Sequence, residues 1–113
     1  MKSNINVLRR EEQIKNLLAQ IITYDLNNAN IIEPTVVDCK LSNDLSHVKV
    51  YLTFAQNSTK GLEAINNAKG YIRKQVARNL DWRKVPELNF ELDEVSKEAL
   101  RIDKILHNIK ENN

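Results

Sequence analysis

The spacing of apolar residues changes several times along this chain, and the order of those changes limits the folds that it can adopt. Residues 4–25 carry one apolar stripe at helical spacing, whereas residues 35–41 and 47–55 alternate apolar and polar side chains as strands do. Helical spacing returns over residues 58–80, a third alternating segment follows, and a last helical pattern runs from about residue 95 to 110. The predicted architecture is therefore an α+β domain of order αββααβ, with a three-stranded sheet packed on helices and an additional C-terminal helix.

The first two strands are predicted to pair as an antiparallel hairpin, because residues 42–44 (Ser-Asn-Asp) favour a turn between them. Strict alternation in the first strand would place Val37, Cys39 and Leu41 on the same face, directed towards the core. In the second strand the same rule groups the apolar side chains of Val48, Val50, Leu52 and Phe54.

The residues Ala68, Lys69 and Gly70 interrupt the second helical segment. A glycine in a helix interior costs about 1 kcal/mol relative to alanine, yet helical spacing resumes directly with Ile72 and Val76. The interruption is therefore predicted to be a kink between two helices, formed by Ala68 and Gly70. We expect Gly70 to supply any positive φ that the kink requires, which a β-branched residue would resist.

Length and composition predict a single domain over residues 1–113, with its core within about residues 4–93. The lone cysteine, Cys39, is expected to be a buried thiol in a reducing compartment. The sequence contains neither a signal-peptide pattern nor a run of about 18 apolar residues that could span a membrane. We therefore expect a cytoplasmic monomer without a membrane partner.

The inventory of reactive side chains argues against an enzyme. His47 and His107 have no cysteine, serine or carboxylate companion at a spacing typical of catalytic sites. Gly61 and Gly70 match neither a phosphate-binding loop nor a dinucleotide-binding motif, and the few scattered Cys and His residues do not form a zinc-site pattern. We expect no catalytic residues, no metal and no cofactor.

Positive charge is concentrated in one segment of the chain. Residues 69–84 carry six basic side chains against the single acidic residue Asp81, a net charge of +5, whereas the whole chain carries only +2. Such a positive zone is typical of proteins that bind a polyanion, although a solvated helix face can also produce it. The predicted RNA-binding residues are Lys69, Arg73, Lys74, Arg78, Arg83 and Lys84.

The helical wheel predicts how these cations are arranged. Lys74 and Arg78 lie opposite the apolar side of the helix, and Tyr71 lies near them as a candidate for stacking on a base. Arg73 falls towards the apolar arc, so it must reach around the edge or act at the kink. Lys69 lies in the kink, where free backbone N–H groups also favour a phosphate. Because aromatic residues make up only 5% of the chain, affinity should come mainly from phosphates and depend steeply on salt.

Three segments carry a more specific resemblance. The order αββααβ resembles a type II KH domain. Residues 41–54 (LSNDLSHVKVYLTF), 68–73 (AKGYIR) and 83–88 (RKVPEL) are similar to segments of the ribosome-binding factor A family and occur in the same order. The spacing of Arg9, Arg10 and Ile14 in the first helix fits this family less specifically.

The resemblance implies a KH-like fold in which an Ala-x-Gly kink replaces the usual Gly-x-x-Gly loop. It also implies a bacterial, non-enzymatic factor that binds the free 30S small ribosomal subunit and assists its maturation, including processing of 16S rRNA. One departure is the turn at residues 26–32, which lacks the Asp-Pro-Arg of many relatives. Two alternatives remain open: a general KH-type RNA-binding protein, and a protein-interaction domain whose basic helix docks an acidic partner.

Overall fold

The computed structural model describes residues 5–93, and it confirms the α+β order αββααβ within them. The predicted C-terminal helix at about residues 95–110 lies outside the described residues. The elements in chain order are α1 (Ile5–Gln20) with a π-helical extension (Ile21–Asp25), β1 (Thr35–Leu41), β2 (His47–Thr53), α2 (Ser58–Asn67), α3 (Lys69–Asn79) and β3 (Glu87–Leu92).

The three strands form one sheet with β2 in the centre. β1 pairs antiparallel with β2, which confirms the predicted hairpin, and β3 pairs parallel with β2. Parallel neighbours require a crossover connection, and the pair α2–α3 provides it. The kink between these helices therefore belongs to the segment that carries the chain from the end of the central strand β2 back to the start of the edge strand β3.

The core lies between one face of the sheet and the helices. The side chains of Val48, Val50 and Leu52 on β2 are completely buried, as the alternation predicts. The helices contribute apolar side chains of equal burial to the same core: Ile14, Leu18, Ile65, Ile72 and Val76. This packing fixes which side of α3 faces inward and therefore which side carries its charges outward.

The predicted inward position of Val37 is wrong. The pairing of β1 with β2 shifts by one residue between Val36 and Asp38, which places a β-bulge at Val37. The extra residue reverses the alternation, so Val37 is exposed while Val36 packs against the core. Beyond the bulge, Cys39 and Leu41 are buried as predicted.

The first helix also differs from the continuous α-helix predicted up to Asp25. Its last turn, Ile21–Asp25, widens to a π-helix, while Ile21 and Ile22 both remain buried. The sequence does not reveal this change, because the spacing of these isoleucines from Ile14 and Leu18 fits an ordinary α-helix equally well.

Candidate nucleic-acid interface

A single residue, Ala68, separates α2 from α3. Its φ and ψ of −92° and 5° depart from helical values, but its N–H still donates to the carbonyl oxygens of Ala64 and Ile65. The N–H of Ile72 in turn donates to the Ala68 carbonyl oxygen at 2.9 Å. The chain therefore changes direction without an intervening loop, and α3 begins immediately with Lys69.

The expected role of Gly70 in the backbone geometry of this kink is wrong. Gly70 lies inside the first turn of α3, and neither glycine of the chain has a positive φ. The change of direction occurs at Ala68 with a negative φ, which any L-residue can adopt. A Cβ atom built on Gly70 would meet no atom within 4 Å, so the missing side chain leaves open space at the protein surface.

That open space is part of a cleft between α3 and the loop that leads to β3. The cleft is shallow and open to solvent, with a volume of about 570 Å³, and it is lined by Gly70, Arg73, Lys74, Ala77, Arg83, Lys84 and Val85. We call it the basic cleft. Gly70 and Ala77 are seven residues apart and lie on the same side of α3, where their small size exposes the helix surface between the two walls of cations.

Arg73 connects the two walls. Its side chain leaves the helix and donates from Nη2 to the carbonyl oxygen of Val85, at 3.2 Å. The side chain is exposed, and this contact with Val85 directs it away from the kink, towards the loop before β3. Since a guanidinium group has five N–H donors, this one bond leaves others for a ligand in the basic cleft.

Four of the six predicted cations line the basic cleft, and the other two lie on α3 about one helical turn from a cation that lines it. Arg73, Lys74, Arg83 and Lys84 line the basic cleft, whereas Lys69 is half-buried at the start of α3 and does not line it. Arg78 is exposed in the last turn of α3, also outside the cleft. Tyr71 has 46% of its surface exposed and does not line the cleft either. Its stacking on a base stays a prediction.

The cations of the basic cleft are not neutralised by the part of the chain that the structure describes. Over residues 5–93 the salt bridges join Lys40 to Asp38 and His47 to Glu87, and none involves one of the six predicted RNA-binding residues. Unpaired cations on both walls of a concave surface raise the local concentration of an anionic partner. The small residues between them allow a chain of phosphates to approach the helix closely.

Comparison with known proteins identifies the family. A sequence model described as ribosome-binding factor A matches residues 6–106 of the chain. The chain belongs to the ribosome-binding factor A family. This confirms the resemblance based on the hairpin, the kink and the segment before β3.

Relatives in this family match along nearly the whole chain. The ribosome-binding factor A of Mycoplasmopsis agalactiae is 56% identical over 110 residues, which cover 97% of each chain. That of Mycoplasmopsis pulmonis is 45% identical over 107 residues, covering 95% of this chain and 96% of the relative.

Solved structures of ribosome-binding factor A share the fold. The crystal structure of the Thermus thermophilus protein superposes with a TM-score of 0.73 at 28% identity, covering 76% of this chain and 93% of that one. A Thermus thermophilus homology model fitted into a cryo-EM map of a complex of the 30S subunit with ribosome-binding factor A gives a TM-score of 0.68 at 29% identity, with the same coverage. These matches confirm the KH-like fold.

In this member of the ribosome-binding factor A family, Trp82 anchors the loop between α3 and β3 that forms one wall of the basic cleft. The sequence pattern did not identify this role. Trp82 is half-buried, packs against the core and donates from Nε1 to the Oε1 atom of Gln13 on α1, at 3.2 Å. The Cζ atom of Arg10, also on α1, lies 5.2 Å from the centre of the indole ring. The available signal was that the only tryptophan of the chain directly precedes Arg83 and Lys84.

The turn between β1 and β2 is organised by Asp44. Its Oδ1 atom accepts hydrogen bonds from the hydroxyl groups of Ser42 and Ser46, each at 2.7 Å, and from the Ser46 N–H at 3.1 Å. The hydroxyl groups of Ser46 and Ser42 hold the pKa of Asp44 well below its usual range. Residues 42–46 carry part of the family resemblance, and these hydrogen bonds show that Ser42, Asp44 and Ser46 stabilise the turn.

The remaining reactive groups lie away from the basic cleft. Burial raises the pKa of the Cys39 thiol to about 12, so this side chain is protonated at neutral pH and a poor nucleophile. Over residues 5–93, no cluster of three or more His, Cys, Asp or Glu side chains could hold a metal ion. None of the helices in this range is long and apolar enough to cross a membrane.

Proposed function

We propose that this member of the ribosome-binding factor A family binds the free 30S ribosomal subunit through its basic cleft. It assists maturation of the subunit, including 16S rRNA processing, as a non-enzymatic RNA-binding protein of the cytoplasm. The observation that carries this proposal is the basic cleft itself: four cations on two walls that no acidic side chain of residues 5–93 pairs with. The fitted complex of the Thermus thermophilus relative with the 30S subunit supports the choice of partner.

The chemistry of the basic cleft suits a sugar-phosphate backbone. Arginine and lysine side chains donate charge-assisted hydrogen bonds to phosphate oxygens, and the surface of α3 at Gly70 and Ala77 leaves room between them. The residues that line the cleft include no carboxylate, imidazole or thiol group that could act as a general acid, base or nucleophile. The cleft is therefore equipped to hold RNA rather than to cleave it.

Sedimentation at several salt concentrations tests this proposal. The chain should co-sediment with purified 30S subunits and not with intact ribosomes. If four phosphates are neutralised, log–log plots of affinity against salt should have a slope of about −3 to −4.

Each alternative predicts a different pattern in that experiment. Equal binding to 30S subunits and to unrelated RNA of similar length would favour a general RNA-binding protein. Retention by an acidic protein but not by ribosomal RNA would favour a protein-interaction domain. Failure to bind 30S subunits even at low salt would refute the proposed function.

A further inference from the structure

The loop between α3 and β3 is held from two sides. On one side, Arg73 of α3 donates to the carbonyl oxygen of Val85. On the other side, Trp82 donates to Gln13 and lies beneath Arg10, both of which belong to α1. The loop that supplies one wall of the basic cleft therefore also joins the cleft to the surface of α1.

Arg10 is available to a ligand at this junction. Its side chain is partly exposed, and no carboxylate of residues 5–93 forms a salt bridge with it. The indole of Trp82 is fixed from below by the core and at its edge by the hydrogen bond to Gln13. Attraction between the guanidinium group and this fixed ring limits the positions that Arg10 adopts, while the Arg10 side chain stays partly exposed to a ligand.

A guanidinium plane supported by an aromatic ring is a good surface for a nucleobase. Arginine is delocalised and weakly hydrated, so it stacks on planar groups more readily than lysine does. Proteins commonly recognise unpaired RNA bases by stacking them on aromatic rings or on arginine planes. Trp82 is adjacent in the chain to Arg83, whose side chain lines the basic cleft, so Arg10 contacts the same loop that forms one wall of the cleft.

We propose that Arg10, held over Trp82, is a binding site for an unpaired nucleobase of the RNA strand whose phosphates occupy the basic cleft. This inference rests on the proposed function and adds to it a contact with a base. The base stacks on the outer side of the guanidinium group, so that Arg10 lies between the base and the indole ring. A base paired within a helix is unavailable for this contact, so the site selects single-stranded segments.

The substitution Arg10→Lys separates stacking from charge. Lysine keeps the positive charge and can still lie over the indole ring, but it has no plane on which a base can stack. Because Trp82 is the only tryptophan, an unchanged fluorescence emission spectrum of Arg10→Lys shows that the indole keeps its position. Tyr24→Ala is the matched control, because it removes an exposed aromatic ring that lies outside the basic cleft and is not a predicted RNA-binding residue.

Chemical probing of 30S subunits in complex with each variant tests the inference. A base-specific methylating reagent should show at least one unpaired 16S rRNA base that the parent chain and Tyr24→Ala protect and Arg10→Lys leaves reactive. Protection of the RNA backbone from hydroxyl radicals should be the same for all three. One stacked base is worth about 1–3 kcal/mol, so we expect Arg10→Lys to weaken binding about tenfold.

The same experiment separates failure of the nucleobase site at Arg10 from failure of the proposed function. If Arg10→Lys protects the same bases as the parent chain, or if only Tyr24→Ala loses a base protection, the nucleobase site at Arg10 is refuted while the proposed function stands. If the parent chain protects neither backbone nor bases of the 30S subunit, the proposed function fails and this inference fails with it.

Discussion

Replacing Lys74 and Lys84 together by glutamate is expected to reduce the affinity of the chain for 30S subunits about 100-fold or more. These two side chains belong to opposite walls of the basic cleft. A hydrogen bond to a charged group contributes about 1.5–3 kcal/mol, so losing two of them costs at least about 3 kcal/mol, which corresponds to about 100-fold. The slope of log affinity against log salt should also become shallower by about 1.5–2. Sedimentation with 30S subunits at several salt concentrations measures both quantities.

The matched control replaces Lys49 and Lys60 by glutamate. Both residues are exposed and lie outside the basic cleft, and the change in net charge is identical. We expect this control to bind 30S subunits nearly as well as the parent chain. Equal loss of binding in both double variants would indicate a general effect of charge. Unchanged binding of the Lys74/Lys84 variant would exclude the basic cleft as the surface that binds 30S subunits. Equal melting temperatures would show that neither variant has lost its fold.

The largest effect on stability is expected from Gly61→Val. A Cβ atom at Gly61 in α2 would lie 2.7 Å from the Cδ1 and Cε1 atoms of the Phe54 ring, which packs on the helix at this point. Atoms cannot approach so closely, so the ring or the helix must move, and overpacking of this kind costs about 1–3 kcal/mol. The two methyl groups of valine add to the crowding, so we expect the free energy of unfolding to fall by about 3 kcal/mol, the upper end of this range. Urea unfolding followed by circular dichroism gives the free energy directly.

The other glycine is the control for this prediction. Gly70→Ala adds a methyl group in open space within α3, so it should stabilise the chain by up to about 1 kcal/mol through helix propensity. Phe54→Leu replaces the ring by a smaller side chain and so relieves the crowding. It should therefore lower the free energy of unfolding less in the Gly61→Val background than in the parent chain. If Gly61→Val melted at the temperature of the parent chain, the close packing of Phe54 on α2 would be excluded.

The sequence predicted the order of elements because apolar spacing reports directly on which face of each element is buried. It failed where backbone geometry changes without a change in composition. The β-bulge at Val37 is an example, since Val36 and Val37 are equally apolar and only the pairing with β2 decides which one faces the core. The role of Gly70 is another, since the sequence predicted a kink formed by Ala68 and Gly70 together but does not show that Ala68 alone forms it while Gly70 keeps an ordinary helical conformation.

For the candidate site, the clustering of charge in the sequence identified the cations, but only the structure shows which of them line the same cleft. Arg73, Lys74, Arg83 and Lys84 meet because the loop after α3 folds back along it. Arg78, although it belongs to the same basic segment, lies outside that cleft. The support of the loop by Trp82 and α1 could not be predicted, because Trp82 and Gln13 are 69 residues apart in the chain and nothing in their local sequence pairs them.

Site-specific photocrosslinking shows which surface of the chain contacts ribosomal RNA. A photoreactive amino acid would replace either Lys84, in the basic cleft, or Lys60, on the exposed side of α2. Each variant would be illuminated on purified 30S subunits. If RNA binds in the basic cleft, the variant at residue 84 should become joined to 16S rRNA at a few adjacent nucleotides, and the variant at residue 60 should give little or no RNA crosslink. Crosslinks to RNA from residue 60 but not from residue 84 would show that the RNA lies on another surface of the molecule and would refute binding through the basic cleft.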